Sequence, residues 1–375
     1  IRERLVGSGR IGGKATGMLL ARAVLERDEA AAFNGVLEEH DSFFIGSDVF
    51  FTFLVNNDLF RLRLEFSRLE EHTVEAFQEV EQRFLEGSFP PDVLEQFRAV
   101  LDYFGQAPII VRSSSLLEDS FGNAFAGKYR SEFCPNQGSP EARLEAFLHA
   151  VKLVYASALN PDALAYRRRR GLDRSDEQMA ILVQRVSGHP HGRFFFPMLA
   201  GVAFSHNLYV WTDRIDPDKG VIRLVFGLGT RAVNRVGGDY PRLIAVSDPE
   251  LRPEIGAMVA KYSQREVDVL DLRDNSLRTV SLRDVLEEGP FPGLHMLVSE
   301  NADGFIADPV GRFVDGNPDR LVLTFNNLIR RTPLVALLGA MLHRIEAAYG
   351  RPVDTEFTAT VLGDAHISIN LLQCR

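Results

Sequence analysis

The spacing of apolar side chains predicts several long helices. Between residues 61 and 104, apolar residues recur every three or four positions, as they do along one face of an α-helix. Pro90 and Pro91 interrupt this pattern, so we expect two helical stretches rather than one. The same periodicity marks three further segments, residues 140–170, 250–264 and 333–349.

Short apolar runs rich in β-branched residues predict strands. Residues 107–112 (APIIVR) and 179–186 (MAILVQRV) are the clearest examples, and residues 186–247 contain several more. Near the C-terminus, Gly363 and Asp364 are the expected turn of a hairpin. Strands and helices do not alternate strictly, which favours the α+β class. We assign no role to residues 290–332 from the sequence.

Length and composition indicate a globular protein of more than one domain. The chain has 375 residues, of which 45% are hydrophobic and 25% are charged. Such a composition is ordinary for a folded protein, but the length exceeds that of a typical domain. We therefore expect two lobes or more. Because the sequence begins at Ile1, we also expect it to be a piece of a longer polypeptide.

Charge and cysteine content argue against several classes of protein. The formal net charge is -9, and the dense basic run at residues 167–170 is typical of a solvated helix end, so we expect no nucleic-acid partner. Cys134 and Cys374 provide neither a disulfide framework nor a metal-ligand spacing. No apolar run is long enough to span a bilayer, and no signal peptide is visible. We expect a cytoplasmic protein without membrane contact.

A glycine-rich segment precedes the first helical pattern. Residues 7–12 fit the dinucleotide fingerprint G-x-G-x-x-G, but the charged residues 1–6 do not resemble the strand that must precede it. The P-loop pattern fails because Ser8 replaces a glycine and Ala15 follows the lysine. Two interpretations stay open: the glycines bring the backbone close to a ligand whose phosphate Lys14 contacts, or the segment is a flexible loop.

The C-terminal hairpin carries the strongest candidate for a metal site. Asp354 and Glu356 share one face of the first strand, and Gln373 and Arg375 share one face of the second. A two-residue turn would place Asp354 opposite Gln373 and all four side chains on one side. Carboxylate and amide oxygens suit Mg²⁺, and an adjacent arginine can hold a phosphate. The alternative is a solvated edge hairpin with cross-strand salt bridges.

A polar loop follows the strand at residues 107–112. Arg112 ends the strand, and the serines at 113–115 offer hydroxyl groups. The following loop contains Gly122 and Gly127, and it could fold over a phosphate chain as a mobile lid. The alternative is an ordinary polar turn.

Four separated groups of residues follow one another along the chain. Their ordered combination is a more specific signal than any single group. They are GGKATG at 12–17; VRSS, ED and FAG between 111 and 127; VQ, GVAFS and GLG between 183 and 229; and DTEF and LQCR between 354 and 375. Together they resemble the nucleotide-binding domain of the phosphoenolpyruvate synthase and pyruvate phosphate dikinase family. The resemblance implies an ATP-grasp-like fold with two lobes, residues 1–180 and 181–375, and with ATP and Mg²⁺ as cofactors.

The resemblance also implies roles for individual residues. Lys14 and Arg112 would contact the phosphates of ATP, Val183 and Gln184 would lie at the adenine, and Gly122 to Gly127 would form the phosphate lid. Glu356 and Gln373 would bind Mg²⁺ with Asp354 as a helper, and Arg375 would stabilise the transferring phosphoryl group. Lys128 departs from the family pattern, and its charge could add a phosphate contact or mark an altered function. Lys14, Arg112 and Arg375 are the expected catalytic residues.

The family's phosphoryl acceptor is a histidine on a separate swivelling domain, and a further domain binds pyruvate. Only His206 (FSHNL) superficially resembles that histidine, and it lies within the nucleotide-binding motifs. We therefore expect an ATP-dependent phosphotransferase, similar to pyruvate, water dikinases, whose partner domains are absent from this chain. Pyruvate is the favoured final acceptor. The alternatives are an antibiotic or glucan hydroxyl group, or a module that senses ATP without transfer.

Overall fold

The chain forms two compact units. The computed structural model describes residues 2–27, 32–69, 71–117, 127–172, 177–234, 236–312, 314, 317–363 and 366–375. The first unit comprises Ile1–Gly17, Asp41–Val186 and Arg273–Ser276, and the second comprises Met18–His40, Ser187–Leu272 and Leu277–Arg375. Helices and sheets are mixed in both units, which confirms the α+β class. The expected division into lobes at residue 180 stays a prediction.

A mixed sheet forms the centre of the first unit. Its strands are β1 (Leu5–Val6), β2 (Ser42–Ile45), β3 (Ile109–Ser115), β4 (Ser131–Cys134) and β5 (Met179–Arg185). The strand order is β1-β2-β5-β3-β4, with β1 parallel to β2 and the other pairs antiparallel. The two apolar runs predicted as strands, residues 107–112 and 179–186, therefore lie side by side as β3 and β5.

Seven helices belong wholly or partly to this unit among the residues described. They are α1 (Gly12–Glu26), α2 (Ser47–Asn56), α3 (Leu59–Arg68), α4 (Val74–Glu86), α5 (Pro91–Phe104), α6 (Pro140–Ala156) and α7 (Pro161–Arg169). The apolar faces of α2 to α7 bury aromatic side chains, among them Phe53, Phe84 and Phe97, in one core with β3 and β5. This burial accounts for the period of three to four residues that predicted the helices.

The helical stretch before Pro90 is two helices, not one. The break between α3 and α4 has a local cause, since Thr73 caps α4 by accepting a hydrogen bond of 3.1 Å from the backbone N–H of Ala76. The break before α5 is the predicted one, and Pro91 is the first residue of that helix. The spacing of apolar residues does not reveal the first break because it continues through it.

The second unit contains several sheets. Its strands are β6 (His189–His191), β7 (Phe194–Phe196), β8 (Leu199–Phe204), β9 (Val221–Val225), β10 (Arg242–Ala245), β11 (Glu266–Asp271), β12 (Ser276–Ser281), β13 (Val298–Ala302), β14 (Phe305–Ala307), β15 (Leu321–Leu323), β16 (Asp354–Leu362) and β17 (His366–Cys374). The strand orders are β10-β9-β8-β16-β17, β12-β11-β7-β6 and β14-β13-β15. The predicted C-terminal hairpin is β16 and β17.

The helices of the second unit are α8 (Thr230–Val233), α9 (Met258–Lys261), α10 (Leu282–Glu287), α11 (Leu294–Leu297), α12 (Asn326–Arg331) and α13 (Leu334–Tyr349). The predicted helix at 333–349 is confirmed by α13. The predicted helix at 250–264 is wrong for most of its length, because only α9 forms there. Pro253 cannot donate a helical hydrogen bond, and Gly256 has a φ of +59°.

Residues 290–332 supply structural elements of the second unit. They form α11, α12 and the sheet β14-β13-β15, and their buried side chains, such as Leu297 and Phe325, join the main core of that unit. Within the residues that the structure describes, no helix has the combination of length and apolar character needed to cross a bilayer.

The start of α1 packs against β3 at a contact that only glycine permits. Gly12 has a φ of +78°, and a Cβ atom at this position would lie 1.4 Å from the carbonyl oxygen of Ser114. The Ser114 hydroxyl donates a hydrogen bond of 2.7 Å to the Ile11 carbonyl and accepts one of 3.1 Å from the Ala15 N–H. These contacts fix the first turn of α1 on the strand.

We expect Gly12→Ala to destabilise the protein strongly, by about 3 kcal/mol, because the left-handed backbone and the clash with Ser114 both oppose a Cβ atom. Gly171→Ala is the matched control, since Gly171 has a φ of +67° but no atom within 4 Å of the added Cβ. We expect it to cost only about 1 kcal/mol. Urea denaturation measures both values. Equal losses in the two variants would contradict the proposed role of the contact.

Candidate functional site

The glycine-rich segment of the first unit is held by the N-terminus of α2. The Asp48 carboxylate accepts hydrogen bonds of 2.7 Å and 2.8 Å from the backbone N–H groups of Ser8 and Gly9, and one of 3.0 Å from the Ser8 hydroxyl. Burial favours a higher Asp48 pKa, but these hydrogen bonds outweigh it and lower the pKa. A Cβ atom on Gly9 would lie 2.5 Å from the Asp48 nitrogen.

At Gly9, the close approach of the backbone is therefore to Asp48 of the same protein. This contact gives a reason for the glycine, and it orders the segment just before Lys14. Asp48 plays a part that the sequence interpretation missed, although its position at the start of a helical pattern is typical of a capping carboxylate.

Three of the candidate phosphate and adenine residues lie close to β3. The Lys14 ammonium donates a hydrogen bond of 2.8 Å to the hydroxyl of Ser113. The neighbouring Arg112 donates one of 3.4 Å to the side-chain oxygen of Gln184 on β5. All of these side chains are buried. The structure thus brings Lys14, Arg112 and Gln184 into one part of the first unit.

Val183 differs from these residues. Its side chain is fully buried in the core of the first unit. Its backbone lies between β2 and β3, where it is paired with Phe43 and Val111. The Val183 side chain therefore has a packing role, and its expected place at the adenine stays a prediction.

Only the last residues of the expected lid are described. Gly122 lies outside the described residues, as do residues 123–126. Gly127 is exposed in a turn with a φ of +68°, and Lys128 is half-buried. The role of the lid stays a prediction.

A buried carboxylate joins the chain segments on either side of this loop. Glu177 is fully buried, and its two oxygens accept hydrogen bonds from the Ser115 hydroxyl and the Tyr129 hydroxyl. The guanidinium of Arg167 lies 3.9 Å from one of those oxygens. The carboxylate therefore has charged and neutral donors around it, as a buried charge requires. Glu177 was not among the sequence candidates.

The hairpin of the second unit pairs differently from the prediction. Asp354 lies opposite Arg375, with backbone hydrogen bonds of 2.9 Å and 3.0 Å in the two directions, and Glu356 lies opposite Gln373. The predicted pairing of Asp354 with Gln373 is wrong for two reasons. Three residues, not two, separate the paired Leu362 and His366, and a bulge falls between Glu356 and Phe357.

The two shifts add up to two residues, so the polar side chains still share one face. Residues that are directly opposite in an antiparallel pair project to the same side of the sheet. Asp354, Glu356, Gln373 and Arg375 are therefore neighbours. The strand β16 lies between β8 and β17, and β17 is the last strand of the sheet, so the hairpin lies at the sheet edge as the alternative interpretation has it.

The electrostatics of this face combine carboxylates and guanidinium groups. The Arg375 guanidinium lies 3.4 Å from the Asp354 carboxylate. Burial raises the pKa of Asp354, although the positive charges of Arg375 and Arg223 oppose that rise. Glu356 is half-buried and Gln373 is 2% exposed. The oxygen donors on this face are the carboxylates of Asp354 and Glu356 and the amide of Gln373. Among the described residues, no group of three or more His, Cys, Asp or Glu side chains is suited to a metal.

His206 lies just after β8 in the second unit. Its Nδ1 atom is 3.1 Å from an oxygen of Asp218, and its side chain is 42% exposed. This contact joins His206 to the short 3-10 turn Pro217–Lys219, and the interpretation that its likeness to the acceptor motif is superficial stays a prediction.

Comparison with known proteins bears out the resemblance. The family model described as "Pyruvate phosphate dikinase, AMP/ATP-binding domain" matches residues 8–375. The rifampicin phosphotransferase of Bacillus subtilis (strain 168) is 27% identical over 160 residues, which are 42% of this chain and 16% of that protein. The phosphoenolpyruvate synthase of Aquifex aeolicus (strain VF5) is 28% identical over 197 residues, which are 50% of this chain and 21% of that protein.

The aligned residues thus make up only a small part of either relative. The family model, in contrast, runs through nearly the whole chain, from the glycine-rich segment to the final arginine. This protein belongs to the family of AMP/ATP-binding domains of pyruvate phosphate dikinase.

Proposed function

We propose that the chain is the ATP-binding part of a dikinase, which binds Mg·ATP and passes a phosphoryl group to a histidine on another domain. The observation that carries this proposal is the polar face of β16 and β17. Oxygen donors from Asp354, Glu356 and Gln373 stand beside the guanidinium of Arg375 in a chain of an ATP-binding family. We also propose that the two lobes, residues 1–180 and 181–375, form an ATP-grasp-like fold.

In the first unit, the proposed roles concern the phosphates and the adenine. Lys14 and Arg112 are buried cations that would contact phosphate oxygens, and Arg112 can do so with two parallel hydrogen bonds. Gln184 would lie at the adenine with Val183, and residues 122–127 would cover the phosphates. Lys128 would add a positive charge at the end of that loop.

In the second unit, the proposed roles concern the metal and the transferred group. The donor set fits Mg²⁺, because this ion prefers oxygen ligands and usually completes its shell with water and phosphate oxygens. Glu356 and Gln373 would hold it, with Asp354 as a helper. When bound, the ion would neutralise negative charge on the phosphates. Arg375 would stabilise the charge that develops on the transferring phosphoryl group.

The final acceptor is proposed to be pyruvate, bound on a domain outside this chain. One named relative is a phosphoenolpyruvate synthase, which supports that choice. The other is a rifampicin phosphotransferase, which supports an antibiotic as the second candidate acceptor. A module that only senses ATP is less well supported, because binding alone does not require Arg375 next to the metal ligands. A cytoplasmic location also stays a prediction.

We expect Mg·ATP to raise the melting temperature of the protein. A ligand that binds the native state at about 100 times its Kd adds about 2.7 kcal/mol of stability. Differential scanning fluorimetry with and without millimolar Mg·ATP measures the shift, with Mg²⁺ alone as the control. A folded protein whose melting temperature does not change with millimolar Mg·ATP would contradict the proposed function.

Two substitutions separate binding from transfer. We expect Glu356→Gln to weaken the dependence of ATP binding on Mg²⁺, because a neutral amide replaces a charged oxygen ligand. We expect Arg375→Ala to preserve ATP binding but to lower phosphoryl transfer by about 100-fold in the full-length protein, because its charge acts on the transition state.

The measurements are Mg²⁺ titrations of ATP binding and the rate of phosphohistidine formation. Glu287→Gln is the matched control, since Glu287 is an exposed carboxylate of the second unit that pairs with Arg283. Wild-type rates and metal dependence in both hairpin variants would show that the hairpin assignment is wrong.

A further inference from the structure

Arg223 occupies the same sheet face as the proposed metal ligands. In the pairing register Gln373 lies opposite Glu356, Glu356 opposite Val202, and Val202 opposite Arg223. Opposite residues project to the same side, so this row crosses β17, β16, β8 and β9 on one face. Two strand spacings put the backbone of Arg223 about 10 Å from that of Glu356.

The next row of the ladder brings the Arg223 side chain toward Asp354. Phe204 lies opposite Asp354, and the Arg223 guanidinium stands 5.4 Å from the centre of the Phe204 ring. Arg223 and Asp354 therefore both neighbour Phe204 on this face, and the Arg375 guanidinium lies 3.4 Å from the Asp354 carboxylate.

Aromatic contacts orient the Arg223 side chain. Its guanidinium lies 5.7 Å from the Tyr209 ring and donates a hydrogen bond of 3.0 Å to the Tyr209 hydroxyl. The loop that carries Tyr209 is itself fixed, because Asn207 is buried, accepts from the Tyr209 N–H at 2.8 Å and donates to the Pro217 carbonyl at 2.7 Å. A guanidinium has five N–H donors, and Tyr209 takes one of them.

The rest of this face is only partly covered. At one end, Ala200, Val202 and Val225 pack with Ala232 of α8 in a small apolar cluster, separate from the main core. At the other end, Arg223, Asp354, Glu356 and Arg375 are half-buried. The polar end of the face is therefore partly open to solvent in the second unit taken by itself.

Charge on the polar end suits an anion once a divalent cation is present. Asp354 and Glu356 contribute -2 and Arg223 and Arg375 contribute +2, so their sum is zero. A bound Mg²⁺ would leave the face with a net charge of about +2. An arginine has no acceptor atom and cannot bind the metal, so its complementary partner is an anionic oxygen ligand.

We propose that Arg223 is a further ligand-contacting residue of this site, which binds the polyphosphate of the nucleotide beside the metal. This inference rests on the proposed function and adds to it a second arginine, held by Phe204 and Tyr209. The glycine-rich and serine-rich motifs of the sequence did not indicate it, because Arg223 is an isolated charge within the strand IRLVFGLG.

The test compares the binding of Mg·ATP, Mg·tripolyphosphate and adenosine by wild-type protein and by Arg223→Gln. We expect the substitution to lower the affinity for both phosphate ligands by a similar factor of about ten or more, and to leave the affinity for adenosine unchanged. Arg283→Gln is the matched control, an exposed arginine of the same unit, and we expect wild-type affinities. Tyr209→Phe keeps the ring but removes the hydrogen bond, and we expect a smaller loss for the phosphate ligands only.

Four results would count against the inference. If the Arg223→Gln variant binds Mg·ATP like wild type while Glu356→Gln changes the metal dependence, the role of Arg223 is refuted and the proposed function stays intact. An equal loss for adenosine would mean that Arg223 acts on the fold or the base. If wild-type protein binds neither phosphate ligand, the proposed function fails first and the inference fails with it. If Arg223→Gln does not fold, unchanged phosphate binding by Tyr209→Phe counts against the inference.

Discussion

The backbone pairing that runs from β17 through β16 and β8 to β9 is the constraint on which the polar face of the second unit depends. Each pair in this ladder fixes which side chains are neighbours, so residues as far apart in the sequence as Val202 and Glu356 lie side by side in two adjacent rows. Because β16 has a hydrogen-bonded partner on both sides, Asp354 and Glu356 cannot change register without breaking two sets of backbone hydrogen bonds. Because the backbone of these residues is already fixed, little backbone ordering has to accompany ligand binding, which favours tight and specific binding.

Much of the secondary structure and the order of the motifs could be predicted from the sequence, because both depend on local patterns. The strands β3 and β5 and the helix α13 follow from apolar runs and their period. The same reasoning failed where a local feature interrupts an apolar pattern, as Pro253 and Gly256 do at residues 250–264. It also placed all four hairpin side chains on one face while giving the wrong pairs, since the period of two survives a shift of two residues.

The residues that sequence reasoning missed have partners that lie far away along the chain. Asp48 binds N–H groups 39 and 40 residues before it, and Glu177 accepts from hydroxyls 48 and 62 residues before it. Arg223 is recognised only when four strands are placed in order. No spacing rule links such residues, because the link is the tertiary fold itself. The roles of Lys14 and Arg112 could be predicted because the resemblance to a known family implies where these residues lie in the fold.

The bulge in the hairpin has a consequence for the length of the chain. Continued without it, the pairing of Leu362 with His366 would bring Leu372 opposite Glu356 and Cys374 opposite Asp354, so an apolar side chain and a thiol would occupy the places of Gln373 and Arg375. The extra residue, Leu372, is what restores the polar pairs. A chain lacking that one residue could pair regularly and keep the same four neighbours. Among related proteins, this is therefore a position in β17 where a one-residue difference in length is compatible with an unchanged site.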